Sequence, residues 1–221
     1  EYALRQKGKI AELALGYGGS AGALINMGAL KMGLSEDELP DIVHRWRKAN
    51  PNIIRLWYQL ESAALQAVQT CTPVGVNSCI FRREGDFATK QDFLTVQLPS
   101  GRKLFYARPH IGKNRFDSDS LHYYGVSQAS KKWADLETYG GKLTENIVQA
   151  IARDCLAVTL QRLEDAGYQT VMHIHDEAVI DCPEERADLQ AACELMWQPI
   201  PWAEGLVLNA AGFVGDYYKK D

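Results

Sequence analysis

Residues 142–181, KLTENIVQAIARDCLAVTLQRLEDAGYQTVMHIHDEAVID, decide the fold class. In the first part, Ile147, Ile151, Leu156, Val158 and Leu163 sit in an unbroken run. This predicts a long helix over 142–165, ended by Gly167. In the second part, two short apolar runs flank a polar centre, which predicts a strand, a turn and a strand over 168–181. Downstream, an amphipathic helix is expected over 183–197 and a final strand over 205–214. Upstream, residues 92–98 and 103–108 read as strands joined by Pro99-Ser100-Gly101-Arg102, a hairpin signal. Residues 109–122 read as loop and 121–128 as a strand. The N-terminal part is helical. Helices are expected over 2–15, from the Ser35/Glu38 capping box to Ala49, and from Pro51 to Gln69. Residues 21–32 form a buried short helix or a loop. Helices first and strands interleaved later give an α+β class, with an antiparallel sheet in the second half.

The chain has 221 residues, 46% of them hydrophobic and 24% charged. That suits an ordinary globular core and excludes wholesale disorder. It holds no apolar run of the ~18 residues a membrane helix needs, and it opens on charged residues, unlike a signal peptide. It begins with Glu1, which suggests a piece of a longer protein. Five Cys without a C-x-x-C pair indicate reduced thiols in a cytosolic setting, with neither a zinc cluster nor a disulfide framework. The formal net charge is −4, unevenly spread. Residues 1–150 carry 19 Lys+Arg against 15 Asp+Glu, and residues 151–221 carry 5 against 13. An anionic partner suits the first part and a divalent metal the second. The balance gives no support for a strongly basic nucleic-acid binder, so any such binding would come from local patches.

Three stretches could carry chemistry. Arg5 and Lys9 are four residues apart on the first helix and share a face, as a polyphosphate clamp or a solvated pair. Tyr17 follows between glycines, where an aromatic ring stacks on a base or packs under a turn. His175-Asp176-Glu177 interrupts an apolar β run. In an unbroken strand, Asp176 would face the apolar set Met172, Ile174, Ala178 and Ile180, at a cost unless paired or metal-bound. At a tight turn, Asp176 and Glu177 would instead project from a hairpin tip. Either way they form half of a Mg²⁺ site or an exposed acidic turn. Gly140-Gly141-Lys142 opens the long helix as a phosphate-binding N-terminus, or as a flexible loop before an N-cap at Thr144. No Walker loop and no H-x-H-x-D-H ligand set occurs. His44, His110 and His122 read as structural or surface residues, and the five Trp as core.

In order and spacing, these pieces resemble a known family. Arg5-x3-Lys9-x7-Tyr17-Gly18 is similar to the nucleotide-binding fingers helix of family A (DNA polymerase I-like) DNA polymerases. His175-Asp176-Glu177 after an apolar strand resembles their second catalytic palm motif, and residues 138–150, TYGGKLTENIVQA, resemble the phage and prophage branch. The resemblance covers nearly the whole chain. It implies fingers helices over 1–70, and a β-rich insert with a partial palm over 71–221. It implies that Arg5 and Lys9 hold the triphosphate of a deoxynucleotide, and that Tyr17 and Gly18 lie beside the template. By the same resemblance, Asp176 and Glu177 bind catalytic Mg²⁺, while His175 and Lys142 touch primer-template DNA. The implied setting is the cytoplasm of a bacterial host or phage-infected cell, with no membrane partner. Leu13 stands where the family carries an aromatic at the nucleotide sugar. The first catalytic motif, D-x-S-x-x-E-[LI]-R, would lie upstream of Glu1, in another part of the same polymerase, so the chain alone is expected to be inactive. The other function considered is a non-catalytic nucleotide- or nucleic-acid-binding module derived from this fold.

Overall fold

A computed structural model of the chain describes residues 2–218. Helices and an antiparallel sheet make it an α+β protein. Helix α1 (Tyr2–Leu15) is followed by a short α2 (Ala21–Asn26), α3 (Leu39–Ala49) and α4 (Pro51–Thr70). The capping box forms as expected: Ser35 N–H and Oγ both donate to Glu38 Oε2, at 2.8 and 2.9 Å. Asp41 in the first turn of α3 and Arg47 and Lys48 in its last complement the helix dipole. Ala14, Leu15, Leu24, Leu39, Val43, Trp46 and Trp57 bury one core, in which the two Trp rings stack at 6.1 Å.

Six strands follow in simple meander order. They are β1 (Val74–Val76), β2 (Cys79–Asp86), β3 (Gln91–Gln97), β4 (Lys103–Lys113), β5 (Asp119–Val126) and β6 (Trp133–Thr138). Every neighbouring pair is antiparallel. Phe81, Leu94, Val96, Tyr106 and Leu121 are buried on one face, where α4 packs. Small residues of α4 (Ala63, Ala64, Ala67) let the helix approach the strands closely. An ion pair is built into this face. Arg83 Nη2 lies 2.7 Å from the buried Asp92 carboxylate, while its Nη1 donates to the Val68 carbonyl at 3.0 Å.

Four expectations change here. Residues 109–122 are not loop: β4 and β5 run through most of them. Pro109 and Gly112 suggested a break, but a bulge between Ala107 and His110 absorbs Pro109 without ending the strand. Strands β1, β2 and β6 were not foreseen. In β2 the Arg82-Arg83-Glu84 run hides the alternation, because Arg83 points inward to Asp92. Trp133 belongs to no core, being 58% exposed. The expected strand over 205–214 forms no ladder among the described residues, since apolar character alone supplies no partner edge.

The long helix α5 spans Gly140–Asp165. Then come β7 (Gln169–Ile174), β8 (Glu177–Asp181) and α6 (Leu189–Trp197). Helix α6 starts later than expected, at an N-cap where the Asp188 side chain accepts from Ala191 N–H. The chain divides into two compact units, residues 1–98 with 102–147 and residues 99–101 with 148–221. No helix among the described residues is long and apolar enough to cross a membrane.

Candidate functional site

In the first unit, Arg5, Lys9 and Leu13 are spaced by four along α1 and all three are exposed. The opposite side of the helix, Ala14 and Leu15, is in the core. Among the described residues, neither Arg5 nor Lys9 has a hydrogen bond or ion pair, so both charges are available to an outside anion.

The chain leaving α1 is held firmly. Trp57 Nε1 donates to the Gly16 carbonyl at 3.0 Å, and Arg47 Nη2 donates to the Gly19 carbonyl at 3.2 Å. Gly18 adopts φ +83°, and a Cβ there would press on the Tyr139 ring. A Cβ on Gly141 would overlap the Tyr17 carbonyl oxygen, and one on Gly140 the Trp57 carbonyl. The two glycines therefore bring the start of α5 against Tyr17 and α4. Burial, with Glu145 adding repulsion, pushes the Tyr139 phenol up.

This packing changes the expectation for residues 140–146. Gly140 and Gly141 are buried in the helix rather than lying in a flexible loop. Thr144 does not cap it: its buried Oγ1 donates back to the Gly140 carbonyl at 2.8 Å. The Gly140 N–H is taken by Glu61, whose carboxyl is pushed up by burial despite that bond. Lys142 is exposed in the first turn of α5.

In the second unit, the hairpin alternative is the one that forms. Strands β7 and β8 pair up to Ile174↔Glu177, leaving His175-Asp176 as a two-residue turn. His175 takes φ +53°, an uncommon left-handed conformation for a residue other than glycine. Asp176 and Glu177 are both exposed. Glu177 Oε2 accepts from the Tyr218 hydroxyl at 3.1 Å. The Tyr218 phenol is pushed up, first by loss of solvation and then by that carboxylate. The ribbon has little cover, with Val171 53% and Met172 41% exposed. Adjacent carboxylates on a two-strand ribbon offer hard oxygen donors suited to Mg²⁺.

Sequence reading missed the supports, Trp57, Glu61, Tyr139 and Tyr218. The Gly140-Gly141 pair signalled close approach of backbones, but nothing in the sequence says which backbones approach.

No protein-family model and no solved structure matches the chain. A curated protein does: the chain is 55% identical over 219 residues, 99% of its own length, to a protein of Bacillus phage SP02 named DNA polymerase. The match covers 33% of the phage protein, so the chain spans about a third of that relative's length.

Proposed function

We propose that the chain is the fingers and C-terminal palm part of a phage-type family A DNA polymerase, which adds deoxynucleotides to a primer on a DNA template. The observation that carries this reading is the 55% identity, running end to end, to a phage DNA polymerase. The geometry of each unit supports it. Arg5 and Lys9, without a partner among the described residues, lie on an exposed helix face and suit a triphosphate: the guanidinium grips two oxygens, and the ammonium acts as a point charge. Leu13, one turn on, would lie near the sugar. Tyr17 and Gly18, held against Tyr139 and α5, would lie beside the templating base. Lys142 and His175 would contact the DNA backbone and primer end.

Asp176 would hold catalytic Mg²⁺ and Glu177 would support it, with the Tyr218 hydroxyl fixing Glu177. Mg²⁺ held by these carboxylates would supply positive charge to the transferring phosphate, the chemistry that primer extension needs. A further carboxylate, from an upstream part of the same polymerase, would complete the coordination. The same upstream part would cover the bare β7–β8 ribbon and give the apolar 205–214 segment a strand partner. Fingers over 1–70, and insert plus partial palm over 71–221, remain the division this reading implies.

Primer extension by the full-length protein tests the assignment. Asp176→Asn is nearly isosteric but removes the charge that holds the metal, so extension should fall to background while the thermal melt stays near wild type. Glu177→Gln should lose less. Near-normal extension by Asp176→Asn would remove this turn from the catalytic site.

A further inference from the structure

The meander joins three residues that sequence reading left scattered. His110 on β4, His122 on β5 and Asp135 on β6 each place one donor atom within 4.8 Å of the other two. His110 and His122 are directly paired across the strands, and Asp135, paired with Tyr124, sits diagonally from His122 on the same face. His110 Nε2 lies 3.3 Å from Asp135 Oδ2, and His122 Nδ1 lies 3.5 Å from Asp135 Oδ1. From this geometry we infer that His110, His122 and Asp135 form a binding site for a first-row divalent transition metal, Zn²⁺ foremost, tying together β4, β5 and the edge strand β6.

The hydrogen bonds around His110 point the same way. Its Nδ1 lies 3.1 Å from the Arg108 carbonyl, which only accepts, so Nδ1 carries the proton. That leaves Nε2, beside the Asp135 carboxylate, as the ring atom placed to ligate a metal. A carbonyl holding the far nitrogen is the usual arrangement behind a metal-bound imidazole. The bulge at Ala107/His110, with Arg108 at φ +49°, re-aims His110 toward its partners. Gly112 makes room for the second ligand, because a Cβ there would collide with the His122 ring. Two imidazoles and one carboxylate select zinc-like ions over Mg²⁺ or Ca²⁺, which take all-oxygen shells. Seating the ion moves the His122 proton to Nε2, which is buried without a partner. That cost holds the affinity below that of a closed structural zinc site. Water completes the coordination on the exposed side.

The test is Co²⁺ and Zn²⁺ binding to the purified protein, with excess Mg²⁺ present to occupy the hard carboxylate turn at Asp176. One equivalent of Co²⁺ should bind with enhanced visible d–d absorption and be displaced by Zn²⁺. Zn²⁺ should raise the melting temperature. His110→Gln and Asp135→Asn change half-exposed side chains, so both variants should fold. Each should weaken binding by at least about tenfold and lose the Zn²⁺-induced shift. Three results would overturn the site: no saturable uptake, uptake unchanged in both variants, or a thiolate-to-cobalt charge-transfer band placing the ion on cysteine. In the first case the cluster holds only protons.

Discussion

On the proposed reading, Lys9 separates nucleotide binding from DNA binding. It projects from an exposed helix face and pairs with no described residue, so its removal leaves the core untouched. If Lys9 holds the triphosphate, Lys9→Ala would remove one charge-assisted contact, and catalytic efficiency in the full-length protein should fall roughly 10²-fold or more. Duplex affinity should barely change, because one exposed cation contributes little to a contact shared among many phosphates. Steady-state kinetics and a DNA-binding titration check the split. Weakened DNA binding with unchanged KM and kcat would take the nucleotide away from α1. Asp176 is a parallel case in the second unit. It is exposed at a two-residue turn, so on the proposed reading Asp176→Asn should affect chemistry and leave the fold alone.

At the scale of elements, the junction of α1, α4 and α5 governs how Tyr17 is presented. Gly141→Ala would drive a methyl into the Tyr17 carbonyl, and both chain segments are fixed by neighbours. Overpacking of this kind costs about 1–3 kcal/mol, which for a chain of this size lowers the melting temperature by about 2–12 °C. A melt unchanged within 1 °C would mean the junction yields easily. Glu61 gives this junction a pH dependence. Its carboxyl is raised by burial, so the charged form burdens the folded state. The sign follows: stability is gained as pH falls through the raised folded value, and is reduced above it. Glu61→Gln keeps an acceptor for the Gly140 N–H and removes the charge. It should raise the melting temperature at pH 8 by about 2 °C at most, because half of the group stays solvated, and change little at acidic pH. Melts across pH check this. A lower melting temperature at pH 8 would show that the charge stabilises Gly140 more than burial costs.

For the whole molecule, the proposed reading makes activity a property of a longer protein. Two-metal transfer needs carboxylates on both sides of the ions, and this chain offers the Asp176-Glu177 pair. The 221-residue chain alone should therefore give no extension of a labelled hairpin primer, while the full-length protein extends it. Extension by the isolated chain would show that its own residues complete the site.

Local chemistry wrote much of this fold into the sequence. Helices α1, α3, α4 and α5, the Ser35 capping box and the 99–102 hairpin follow from apolar period, cap residues and turn residues, all of which act within a few positions. The polar break that His175-Asp176-Glu177 makes in an apolar run was legible for the same reason. Sequence left open whether it sat in a strand or at a turn, and Ile174↔Glu177 pairing decided that. Other features depend on partners far along the chain. Arg83 disguises β2 because its charge is buried only by meeting Asp92 across a strand pair. Pro109 imitates a strand end because only the β4–β5 register turns it into a bulge. The 205–214 segment has strand character but no edge to join. His110, His122 and Asp135 are unremarkable polar residues until the meander sets three strands side by side. Sequence fixes what each residue can do locally, and only tertiary structure decides which distant groups meet, because strand pairing and burial join residues that no local signal connects.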